Sequence, residues 1–201
     1  MAVFWALERR ALAAAGRRGL ASRLARRAYV LGHELTHALA GVAIGAKVLD
    51  VKVGESAGHV DLSHSNAFVA LAPYCLPIYT LAVVAGYRIL LWLRPGSGGR
   101  TVFLMLMGAT LAFHLIKTFD AIWDSRQPDL PAAGGVVFSL SWILLANSLI
   151  VLLLAKALFP SAVELERCAA LVAGWTAGFW RGLYALARPL GHDLAAWLGK
   201  R

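Results

Sequence analysis

Cysteine is nearly absent, with only Cys75 and Cys168 in 201 residues. Neither has the paired spacing of a disulfide or a thiolate metal site, so both read as packing residues. Charge is also scarce. Charged residues make up 15% of the chain against 59% hydrophobic, and a soluble domain of this length cannot hide that much apolar surface in one core. Internal repeats, low-complexity tracts and a convincing signal-peptide cleavage site are missing too. The first apolar run follows a cluster of Arg, but it contains two His and one Glu and is expected to remain as a helix.

The apolar excess is concentrated in four stretches, residues 28–46, 67–93, 101–123 and 135–159, each near the roughly 20 residues needed to cross a bilayer. The chain is therefore expected to be an all-α polytopic membrane protein with about four transmembrane helices. The net charge of +9 does not point to nucleic acid, because the Arg residues flank apolar runs instead of covering one face of a domain. Residues 1–27 hold seven Arg against one Glu, the 94–100 loop holds two Arg and no acid, and the tail after Phe159 holds five Lys or Arg against three acids. The alternate segments are neutral to acidic: residues 47–66 carry two Lys against three acids, and 124–133 one Arg against two Asp. By this asymmetry both termini are expected to be cytoplasmic. Ala and Arg richness suggests a bacterial source, hence a bacterial inner membrane.

Three regions follow: a basic segment 1–27, a membrane-embedded core 28–159 and an amphipathic basic tail 160–201. Residues 1–27 mix Phe4, Trp5, Leu7 and Leu12 with Arg, which suits either an interfacial helix or a basic tail that only fixes orientation. The tail interleaves Trp175, Phe179, Trp180 and Trp197 with Arg167, Arg181 and Arg188, and predicts an interfacial amphipathic helix. Between the first two spans, residues 47–62 alternate β-branched and polar residues around Gly54 and Gly58, which predicts a small β-hairpin. Such a hairpin is either a plain connector or an edge that an extended substrate can join by strand addition. Pro73 and Pro77 are expected to kink the second span.

The chemistry lies in His33-Glu34-Leu35-Thr36-His37. On a helix, residues four apart share a face, so the two imidazoles can hold one metal ion. Glu34 lies beside them, where its carboxylate can take a proton from a water on the metal and return it to a leaving amine. Two imidazoles and a carboxylate in an apolar run are each costly to desolvate, and a metal offsets that cost. The bland alternative is polar residues hydrogen-bonded to neighbouring helices.

Zinc needs a third ligand. Ala40 and Ala43 stand where the longer soluble signature requires Gly and His. Glu55 lies in the hairpin, and Glu164 and Glu166 lie beyond the last span. The third span offers His114, Lys117, Asp120 and, at its end, Asp124. His114 matches His37 in depth, both lying nine residues from the outer ends of their spans. The bland readings are a helix-to-helix hydrogen bond for His114 and an ion pair with Lys117 for Asp120 or Asp124. His59 and His64 read as solvated, and His192 has no partner pattern.

In these features, over roughly residues 28–124, the chain resembles the site-2-protease family of intramembrane zinc metallopeptidases. The resemblance rests on His33-Glu34-Leu35-Thr36-His37, on Gly58-His59-Val60 followed by Asn66 where relatives have a membrane-associated sheet, and on the Asp120 region. It implies His33, His37 and Asp120 as ligands of one Zn2+ ion, with His114 as the alternative third ligand, and Glu34 as the general base. The chain departs from the family pattern in that Asp120 is followed by Ala121, where the family's second motif has an Asn and a Pro followed by Asp-Gly.

The function expected from the sequence is hydrolysis of a peptide bond in a membrane-embedded protein substrate, whose helix must unwind locally to expose its carbonyls. The alternatives are a non-catalytic scaffold or degenerate relative, and a metal transporter. The transporter reading suffers because the fourth span offers only Ser139, Ser141, Asn147 and Ser148 as polar groups before Lys156.

Overall fold

The computed structural model describes residues 19–54, 57–96, 98–123 and 127–198. The predicted N-terminal interfacial segment lies largely outside these residues, as do Glu55 and Asp124. The chain is mostly helical, with one small antiparallel sheet.

Helix α1, Leu20–Ala43, is rich in Ala and Leu and free of proline. Just beyond its end lies Gly45, whose φ of +81° is cheap only without a Cβ. There the Gly45 N–H donates to Val42 O and the Ala46 N–H to Gly41 O, each at 2.9 Å, satisfying orphan carbonyls and turning the chain. It then enters β1, Val48–Val53, and returns as β2, Gly58–Leu62, so the predicted hairpin is present. The strands pair Val51 with Val60, Lys52 with His59 and Val53 with Gly58. Leu62 packs where α1 has Gly41, a position at which a Cβ would lie 2.7 Å from the Leu62 side chain.

Asn66 caps α2, Ala67–Cys75, by accepting the Val69 N–H at 3.0 Å. At Leu76-Pro77 the chain bends by 69° into α3, Ile78–Leu93, as the prolines predict. Helix α4, Arg100–Trp123, is followed by the single turn α5, Asp129–Ala132, and then by α6, Val136–Leu158. The core gathers Leu71, Tyr74 and Cys75 of α2 with Ala121, Leu130, Ala133 and Ile143. The bend leaves the Tyr74 carbonyl without a helical partner, and Asn147 of α6 donates to it at 2.8 Å.

Helices α4 and α6 are long and apolar enough to cross a membrane, and only 11% of each apolar window is buried within the protein, so the rest needs an apolar surround. The bent pair α2 and α3 makes a third span if it counts as one. Among the described residues, two or three helices thus have the length and composition of a span. Helix α1 does not qualify by composition, because any stretch of it long enough to span contains Arg26, Arg27 and Glu34.

The chain divides into compact units at residues 1–147 and 148–201. The division falls inside α6, where Ser139, Ile143 and Asn147, which tie α6 to other elements, all belong to the first unit. In the second unit Lys156 donates to the Pro160 and Val163 carbonyls at 2.7 and 2.8 Å. The tail then forms one helix, α7, Leu165–Leu198, along which Leu171, Trp175, Phe179 and Trp180 are exposed.

Candidate metal centre

Helical spacing puts His33 and His37 on one face of α1, and the two Nε2 atoms lie 3.2 Å apart. The His37 Nδ1–H donates to the Val69 carbonyl at 2.9 Å, leaving the Nε2 lone pair free to face the site. Asp129 supplies the third group: its Oδ2 lies 3.6 Å from His33 Nε2 and 3.8 Å from His37 Nε2. The three ligand atoms all lie within 4.8 Å of one another.

This donor set fits zinc. Two Zn–N bonds of about 2.0–2.1 Å at a tetrahedral angle separate the nitrogens by about 3.3 Å, close to the His–His spacing here. The Asp129 oxygen needs to move only a few tenths of an ångström. Two imidazoles and a carboxylate would leave the fourth position of a tetrahedral ion open.

Asp129 is held by its loop and by Tyr74. Pro128 starts the α5 turn, which brings Asp129 back over α2, and the Tyr74 hydroxyl donates to its Oδ2 at 2.6 Å. Burial alone would raise the Asp129 pKa. The two imidazoles and the Tyr74 hydroxyl turned toward it outweigh burial and hold it below the ordinary carboxylate range, so the group is anionic.

Glu34 is buried, 6% exposed, and lies against Gly58 of β2. A cavity of about 400 Å³ opens here, lined by His33, Glu34, His37, Gly58, His59 and Asp129 among others. The hairpin therefore forms one wall of the cavity and α1 another.

The structure brings together His33, Glu34 and His37 as the sequence predicts, but not Asp120 or His114. Asp120 pairs with Lys117 at 3.1 Å, and the His114 Nε2–H donates to Asn147 Oδ1 at 3.0 Å, so the bland reading of each matches its surroundings. Asp129 lies beyond the third span, where no apolar run marks a carboxylate as a candidate ligand. The available signal was Gln127-Pro128-Asp129-Leu130, a turn-forming Pro-Asp pair between two apolar stretches. A further group, Asp50, His59 and Asp61, lies on the exposed face of the hairpin, where Lys52 already neutralises Asp50 at 3.0 Å.

No protein-family model, curated protein or solved structure matches the chain.

Proposed function

We propose that the chain is an intramembrane zinc metallopeptidase, similar to the site-2-protease family, that hydrolyses a peptide bond of a membrane-embedded protein. The observation that carries this reading is the convergence of the His33 and His37 Nε2 atoms and the Asp129 carboxylate beside the buried Glu34. Zinc bound there would acidify water and polarise a scissile carbonyl. Glu34 takes the proton of the attacking water on its carboxylate and passes it to the leaving nitrogen. His33, His37 and Asp129 hold their positions throughout, His37 through Val69 and Asp129 through Tyr74.

Substrate backbone binds in extended form along β2, where Gly58, His59 and Val60 line the cavity. In this reading α1 is the fourth membrane helix and both termini lie in the cytoplasm of a bacterial cell, an orientation that the Arg asymmetry supports. The rival scaffold reading gives no role to a buried carboxylate between two imidazoles.

The test is zinc content and cleavage of a synthetic transmembrane peptide in detergent by wild type, Glu34→Gln and His37→Ala. The reading requires about one zinc per chain, retained by Glu34→Gln without turnover and lost in His37→Ala. A wild type without metal, or cleavage that survives in Glu34→Gln, removes it.

A further inference from the structure

Tyr74 does more at the proline break than fill the core. It is 1% exposed, yet its hydroxyl reaches the edge of the metal centre and donates to Asp129 Oδ2 at 2.6 Å. Its ring meets the His33 imidazole edge-on, with centroids 5.2 Å apart and planes at 81°. Its carbonyl, freed by the break, is held by Asn147 at 2.8 Å. One residue thus touches two of the three candidate ligands and is fixed in turn by another helix.

We infer that Tyr74 is a positioning residue, whose hydroxyl fixes the Asp129 carboxylate in the orientation that completes the metal site. The inference rests on the zinc reading of His33, His37 and Asp129. Asp129 sits on a four-residue helix, a weak platform for a ligand, and the phenol supplies the anchor that α5 lacks. The Gln127 side-chain oxygen lies 2.9 Å from the same hydroxyl. A phenol has a single proton, so Gln127 and Asp129 compete for it. The shorter, charge-assisted contact to Asp129 takes it.

The experiment is zinc affinity by chelator competition for the full-length chain in detergent, comparing wild type, Tyr74→Phe, Gln127→Ala and Asp129→Asn, with thermal melts of each zinc-free protein. The Phe ring keeps the packing and removes only the hydroxyl. Tyr74→Phe is expected to weaken zinc about ten- to a hundred-fold with little change in the zinc-free melt. Gln127→Ala, which removes the competing acceptor, is expected to hold zinc as wild type does or a few-fold more tightly, since the proton then belongs to Asp129 alone. Wild-type affinity in Tyr74→Phe overturns the inference while leaving the zinc site standing. If Tyr74→Phe does not fold, Gln127→Ala decides: a ten-fold weakening there gives the proton to Gln127 and overturns it. A wild type that binds no zinc fails earlier, and sinks the metal reading itself.

Discussion

Gly58 of β2 lies directly against Glu34 of α1. A Cβ built on Gly58 would stand 2.7 Å from Glu34 Cγ and 3.0 Å from Glu34 Oε1, and also 2.7 Å from the Lys52 carbonyl. The backbone on one side cannot yield, so an added methyl group must displace the carboxylate or the hairpin. Gly58→Ala should therefore leave zinc content at the wild-type level and lower kcat by about a hundred-fold, the scale of a misplacement near 1 Å. Parallel zinc and turnover assays check this, and unchanged kcat would show that Glu34 tolerates displacement.

This contact also marks where the sequence stopped being legible. His33, Glu34 and His37 could be read because a single helix fixes their relation, and the kink at Leu76-Pro77 because proline acts locally. The hairpin followed from β-branched alternation between glycines. That the hairpin folds back onto α1, so that Gly58 meets Glu34, depends on contacts distant in sequence that no local pattern encodes. The place of Asp129 beside the two histidines was illegible for a related reason: depth along a span favoured His114 and the resemblance Asp120, but Asp129 reaches the histidines from the short helix beyond that span. The spans at α4 and α6 were legible to within a residue or two, whereas α1 continues back into its Arg-bearing turns, which composition alone had assigned to a separate segment.

Asp129 and Asp120 can be separated by substitution. Asp129→Ala removes one of the three proposed ligand groups and should cut zinc affinity by at least a hundred-fold. Asp120→Asn alters the pair with Lys117, about a third exposed on each side, and should keep zinc at a stability cost within about 1 kcal/mol. Chelator competition on both variants decides. Zinc loss in Asp120→Asn with retention in Asp129→Ala would return the third ligand to α4.

Asn147 serves three partners at once, accepting from His114 and donating to the Tyr74 and Ile143 carbonyls, each of the latter at 2.8 Å. Asn147→Leu keeps comparable bulk but leaves the Tyr74 carbonyl and His114 without this partner. Interhelical hydrogen bonds within membranes contribute about 0.6 kcal/mol on average, with a maximum near 1.7. A loss in the upper part of that range is expected here, because the proline break removes the helical alternative. Unfolding of wild type and Asn147→Leu in mixed micelles measures it, and equal stabilities would mean that the freed carbonyl finds another donor.

Gly32, one residue before His33, gives the Tyr79 ring access to α1. A Cβ at Gly32 would lie 2.7 Å from Tyr79 Cε2, while the Tyr79 hydroxyl donates to the Ala28 carbonyl one turn earlier on α1. The ring is therefore held at one end and cannot slide away without losing that bond. Gly32→Ala should destabilise the protein by about 1–3 kcal/mol through overpacking, despite the better helix propensity of alanine. Tyr79→Ala removes the ring and is destabilising for the opposite reason, a cavity. Since the clash requires both groups, the double variant should be more stable than the sum of the single effects implies, by about 1 kcal/mol or more. Strict additivity in a thermal or denaturant cycle would show that α1 shifts to accommodate the methyl group. In that case the His33 imidazole would move with it, and zinc affinity should fall in Gly32→Ala alone.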